Sequence, residues 1–125
     1  MKMAVNDFPK SARLLKSAEF ERVFRRRLIV SDSRLVVYCA RGVCDATRVG
    51  LVVSRKCGNA VVRNRWKRLL REAFRLERTE LPLRLDLVVV PRSNAVPELA
   101  ELQKSFQSLA SKAAARLSSS GNESL

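Results

Sequence analysis

Apolar residues recur at two different periods along this chain, and the switches between them mark its elements. Phe20, Val23 and Phe24 fall at i, i+3 and i+4, which predicts a short helix from Ala18 to about Arg26 with Ser17 as its cap. Arg34 to Arg41 is rich in β-formers and predicts a strand; a further short strand is expected around Leu28 to Val30. Gly42 to Thr47 reads as a loop, and Arg48 to Ser54 as the next strand, the two strands forming a hairpin. The helical period returns from about Ala60 to Leu76, with Asn59 as N-cap. Leu85 to Val90 is nearly all apolar and closes on Pro91, the pattern of a strand covered on both faces. Pro97 suits the first turn of a last helix, whose apolar face is Leu99, Leu102, Phe106, Leu109 and Ala113. The order αβββαβα predicts an α+β fold, a single sheet of about four strands packed with helices. The strand–helix–strand unit around residues 60–76 implies a parallel pair, with a right-handed crossover by the general rule.

Charge changes the picture most in the second helix. Residues 55–78 hold nine Lys/Arg against two Glu. At about 100° per residue, Val62, Trp66, Leu69, Leu70 and Ala73 share one side. Asn64, Lys67, Arg68, Arg71, Arg75 and Arg78 share the other, with Arg63 and Arg65 near the boundaries. Carboxylates are too few on the polar side for i,i+4 pairs to explain the cations. The repeats Lys67–Arg71 and Arg71–Arg75 cost stability unless an anion compensates. Glu72 is expected to pair locally with Arg68 or Arg75, and Asp86, in a buried-looking strand, to need an Arg partner.

The whole chain agrees. Its 125 residues suit one domain, and a net charge of +13 points to a polyanionic partner. It has no histidine, which removes the commonest general base and metal ligand. Neither a paired-carboxylate motif, a nucleophile–base set nor a glycine-rich phosphate loop is present. Cys39, Cys44 and Cys57 lack zinc spacing and read as small buried hydrophobes in a reducing compartment. No signal-peptide core or membrane-length apolar run occurs, so a cytoplasmic protein is expected.

Among polyanions, RNA fits best. A membrane-surface helix would spend its apolar face on lipid, and duplex DNA reading normally takes a helix-turn-helix geometry that the pattern lacks. Phe20, Phe24 and Tyr38 read equally well as core or as a stacking floor for single-stranded bases. A ribosomal or assembly protein without catalytic role remains the alternative; a protein-only nuclease is disfavoured by the missing acid–base groups.

The string from Gly58 to Phe74, with Arg63-Asn64-Arg65 inside it, resembles the signature of the protein subunit of bacterial ribonuclease P. The likeness extends over residues 13–117. Leu14-Leu15-Lys16 with Glu19-Phe20 and Val23-Phe24 resembles the family's first helix. Val36-Val37-Tyr38, Arg48 to Lys56, and Asp86 with Val88-Val89-Val90 resemble its strands. The resemblance implies the fold of ribosomal protein S5 domain 2, whose βαβ crossover is left-handed, against the general rule. It implies a catalytic RNA partner, one protein per RNA, a bound 5′ leader of precursor tRNA, and Mg2+ held mainly by the RNA. It further implies that RNA is met by Asn64, Arg65, Lys67, Arg68 and Arg71, flanked by Arg55 and Lys56. Arg63 and Arg75 of the same helix complete the expected set. Phe20, Phe24 and Tyr38 would form the leader cleft, and Asn64 would lie near a metal.

Three positions depart from the family pattern. Trp66 replaces an aliphatic residue on the core side. Ser33 stands where a basic residue is common, and Pro91 where a small one is. The expected organisation is a flexible segment 1–12, one domain 13–117 and a disordered tail 118–125.

Overall fold

The computed structural model describes residues 10–123. After a 3-10 turn at Lys10–Ala12 come α1 (Ser17–Arg26), β1 (Leu28–Ser31), β2 (Leu35–Arg41) and β3 (Arg48–Leu51). A second 3-10 turn, Arg55–Cys57, leads into α2 (Ala60–Glu77), then β4 (Leu85–Pro91) and α3 (Leu99–Glu123). The strands make one sheet in the order β1-β2-β4-β3, β3 parallel to β4 and the other neighbours antiparallel. The expected α+β order and the parallel pair bridged by the basic helix are both present.

The hairpin between the second and third strands is not. β4 lies between β2 and β3, with all seven of its residues in register against β2, from Leu35↔Pro91 to Arg41↔Leu85. The reason is burial. Leu85, Leu87, Val88 and Val89 are at most 4% exposed, and an apolar run of that kind belongs at the centre of a sheet, covered on both faces. β3, only four residues long, takes the edge, where Leu14 N–H donates to Val49 O at 3.0 Å.

On one sheet face Leu28, Val30, Val37, Cys39, Val49, Leu87 and Val89 pack under α2 and α3 in the main core. Phe74 of α2 and Phe106 of α3 meet at 5.8 Å between ring centres. The buried Glu77 carboxylate accepts from Gln103 Nε2 (2.8 Å) and Gln107 Nε2 (2.7 Å). These contacts fix how α2 is rolled on its axis.

The other face carries only α1, and the strand register resolves it into three rows. Arg48, Asp86 and Ala40 form the first; Gly50, Val88, Tyr38 and Ile29 the second; Val90, Val36 and Ser31 the third. α1 sits over the first two and leaves the third half-exposed.

The helix ends differ in detail from the sequence pattern. Lys16, not Ser17, is the N-cap of α1, and the Glu19 carboxylate supplies the cap by accepting from Leu15 N–H (2.8 Å) and Lys16 N–H (3.0 Å). α1 stops at Arg27 in the left-handed region (φ 58), whose N–H donates to Phe24 O. A 3-10 turn at Lys10–Ala12 falls within the segment expected to be flexible, and Ala12 is fully buried; residues 1–9 lie outside the described part. α3 continues to Glu123, six residues into the stretch expected as a disordered tail, since nothing in Ser118–Glu123 blocks helical φ/ψ as a proline would. Of the three cysteines only Cys39 is buried, and burial pushes its thiol up to about 11. Cys44 is exposed and Cys57 half-buried, because one lies in a loop and the other in the turn before α2.

Candidate nucleic-acid interface

The cationic face of α2 exists because its opposite side is clamped. Trp66, Leu70, Ala73 and Phe74 are at most 1% exposed, and each large apolar side chain contributes roughly 1.5–3 kcal/mol on burial. Trp66 is therefore a core residue, as its position on the apolar side predicts. At the start, Asn59 Oδ1 accepts from Val62 N–H at 3.1 Å, the predicted cap. Gly58 enters at φ +143, and a Cβ there would lie 2.8 Å from Val62. Val62, expected on the buried side, is 36% exposed: it sits in the first turn, before the helix reaches the sheet, and closes over Gly58 instead.

Asn64, Arg65, Arg68 and Arg71 are exposed and Lys67 half-buried, with no ion pair among the described residues. Arg55 and Lys56, also exposed, occupy the turn that precedes the helix, so cations gather at its amino end, where the helix dipole is itself positive. Two members of the expected set are tied down. Arg63 Nε donates to Gly58 O at 3.2 Å. Arg75 is held by Glu72 through two hydrogen bonds, which lower the Glu72 pKa. Arg75, half-buried, thus contributes less free charge than Arg68 or Arg71.

The expected aromatic cleft sits beside the open third row. Phe24, 37% exposed, meets Tyr38 edge-on, their ring centres 4.8 Å apart. Phe20 is separate. Its ring lies on Gly50, where an added Cβ would come within 2.5 Å of it. A cavity of about 190 Å3 joins the two regions round the β3 edge; Phe20, Leu14 and Gly50 line it together with Lys67 and Arg71 of α2. Aromatic row and cationic helix are therefore neighbours in space. Gly50 and Leu14 entered the sequence reading only through the family likeness and not as cavity lining, because neither position carries a local signal of what packs on it.

α1 is locked over the sheet by ions. Asp86, fully buried, accepts from Arg48 Nε (3.0 Å) and Nη2 (2.8 Å) and from Arg22 Nη2. Arg48 also donates to Glu19 at 3.0 Å. The Arg partner expected for Asp86 is thus two arginines. The hydrogen bond to Asp86 keeps Arg48 protonated well past the usual range, against the pull of burial. The Glu19 pKa is lowered to about 2, first by the Lys16 and Leu15 N–H bonds; burial opposes this and Arg48 adds to it.

A protein-held metal does not fit. Asn64 offers one neutral amide oxygen among Arg63, Arg65, Lys67 and Arg68, and no group of three or more His, Cys, Asp or Glu occurs among the described residues.

A single sheet with a clamped cationic helix on one side and a half-open aromatic row on the other defines a small basic α+β protein shaped to meet a polyanion. The model of the family Ribonuclease P matches residues 8–114. The ribonuclease P protein component of Brevibacillus brevis is 44% identical over 84 residues, 66% of this chain and 67% of that one. That of Clostridium novyi is 43% identical over 88 residues, 69% of this chain and 78% of its own. Among solved structures, the Staphylococcus aureus RNase P protein aligns with a TM-score of 0.70 at 31% identity, covering 83% of this chain and 96% of that one. The Thermotoga maritima RNase P protein gives 0.71 at 30%, covering 80% and 96%. The chain belongs to the ribonuclease P protein family. It is a subunit of a tRNA-processing ribonucleoprotein whose partner is ribonuclease P RNA, and the ribosomal or assembly alternative finds no support. No helix among the described residues is long and apolar enough to cross a membrane.

Proposed function

We propose that α2 holds the catalytic RNA by its outward cations, that the open row beside Phe20, Phe24 and Tyr38 takes the 5′ leader of precursor tRNA, and that bond cleavage belongs to the RNA. One observation carries the reading: Arg65, Arg68 and Arg71 are exposed, without a carboxylate partner among the described residues, on a helix whose other side is sealed into the core. Fixed cations lose little entropy on meeting phosphates, and they lower the repulsion between two RNAs. A half-exposed ring gives bases a face to stack on, worth about 1–3 kcal/mol per base.

In this reading the protein supplies substrate affinity, the Mg2+ ions belong to the RNA, one protein serves one RNA, and the setting is the cytoplasm. The residues that meet RNA are Arg55, Lys56, Arg63, Asn64, Arg65, Lys67, Arg68 and Arg71, with Arg75 secondary. The working domain is 13–117.

The test is reconstitution with a ribonuclease P RNA at low Mg2+, scored on precursor tRNA with long and trimmed leaders. The protein should accelerate cleavage and favour the long-leader substrate roughly tenfold. No gain from added protein, or equal binding whatever the leader length, would end the proposal.

A further inference from the structure

α1 divides its face of the sheet into two flanks. On one of them Phe24 meets Tyr38 beside the open row. On the other, Arg22, Arg25 and Arg26, at i, i+3 and i+4, line a cavity of about 310 Å3 with Ala40 and Arg41. Arg22 is committed, donating to Asp86 and to Arg41 O. Arg25 and Arg26 are exposed and enter no ion pair among the described residues. Asp86, the carboxylate that Arg22 binds, is shared with Arg48.

A helix carboxyl end favours a cation in its last turn, which explains one of these arginines. It does not explain three within five residues, whose mutual repulsion works against the helix. Nor does it explain Arg27, next in sequence, which sits in the left-handed region (φ 58), where glycine is less strained by about 1–2 kcal/mol. Glu21, four residues before Arg25, is one exposed carboxylate against the four arginines 22, 25, 26 and 41 that line the cavity, so cations remain in surplus there, and a planar guanidinium matches the fork geometry of a phosphate.

We infer that the cavity rimmed by Arg25 and Arg26 is a second phosphate site of this protein, taking one phosphodiester group of an RNA strand. It is separated from the open row by the body of α1 and from the α2 cations by the sheet. The inference rests on the RNA-binding reading above. The phosphate can come from ribonuclease P RNA or from precursor tRNA, and two titrations distinguish them.

The experiment compares the wild-type chain with Arg25→Ala/Arg26→Ala, Arg25→Lys/Arg26→Lys and Arg68→Ala/Arg71→Ala. One titration follows each chain binding ribonuclease P RNA over a range of salt; the other follows the assembled complex binding precursor tRNA. The Arg25/Arg26 alanine variant should lose roughly tenfold in affinity, and its log–log salt slope should fall by about two, in at least one titration. The responding titration identifies the RNA that supplies the phosphate. The lysine variant should restore the slope, which separates lost charge from lost folding. If Arg25→Ala/Arg26→Ala leaves both titrations unchanged while Arg68→Ala/Arg71→Ala weakens the first, the second site is overturned and the function reading stands. If Arg68→Ala/Arg71→Ala is also silent, the reading of α2 falls instead.

Discussion

Around Asp86, Arg22 and Arg48 give their charge to a buried carboxylate; along α2, Arg65, Arg68 and Arg71 keep theirs facing outward. The same side chain therefore does two jobs on opposite faces of one sheet. Under α1 the buried carboxylate of Asp86 draws in two arginines to neutralise it, because a lone buried carboxylate is expensive, and the half-buried Glu19 adds a partner for Arg48. Over α2 the sheet and α3 take the apolar side, and the chain places almost no acid on the other. The contrast teaches that cation density alone does not identify an interface. What identifies it is cations with nothing of their own to bind.

The comparison breaks most sharply at Asp86. Asp86→Ala leaves Arg48 buried beside an apolar sheet and frees Arg22, so stability to urea should fall by about 3–5 kcal/mol. A loss under 1 kcal/mol would mean the network is ornamental. Gly50→Ala comes next. Its Cβ would meet the Phe20 ring at 2.5 Å, so the ring must move, at about 1–3 kcal/mol. Leader-dependent affinity should drop in that variant while binding of ribonuclease P RNA holds; a parallel loss of both would place Phe20 outside the leader site.

Glu19 sharpens the ionic side through pH. Its folded pKa of about 2 lies below the ordinary 4.5, so its contribution is complete above about pH 4.5 and is lost as pH falls toward 2. Glu19→Gln should cost about 1–2 kcal/mol at neutral pH and flatten the acid limb of the urea-stability profile. A variant curve parallel to wild type would refute the assignment. On the α2 side, Arg68→Ala and Arg71→Ala should change stability by no more than about 0.5 kcal/mol, since neither side chain enters an ion pair among the described residues. Each should flatten the salt dependence of RNA binding by roughly one ion.

Much of this was legible along the chain. The spacing of Trp66, Leu70 and Ala73 exposes the buried side of α2, and Asn59 announces its start, because both signals are local. The need of Asp86 for arginine follows from a charge in an apolar strand. The identity of the partners does not: Arg22 and Arg48 lie 64 and 38 residues away, and no local pattern reports that distance. The misplaced hairpin has the same origin. Two strands joined by a short loop usually pair, yet β4, more apolar and longer than β3, takes the central place. Ser17 was the better cap by residue type, but Glu19 reaches back over Leu15 and Lys16 and does the work.

The sequence by itself determined the elements, the sidedness of α2 and the family, since periodicity, capping and the Gly58–Phe74 string are all properties of neighbouring residues. Only the tertiary structure decided which arginines are spent and which are free, and which strip of sheet stays uncovered. Those depend on strand order and on where α1 lies, and both are set by long-range burial that no stretch of the chain encodes alone.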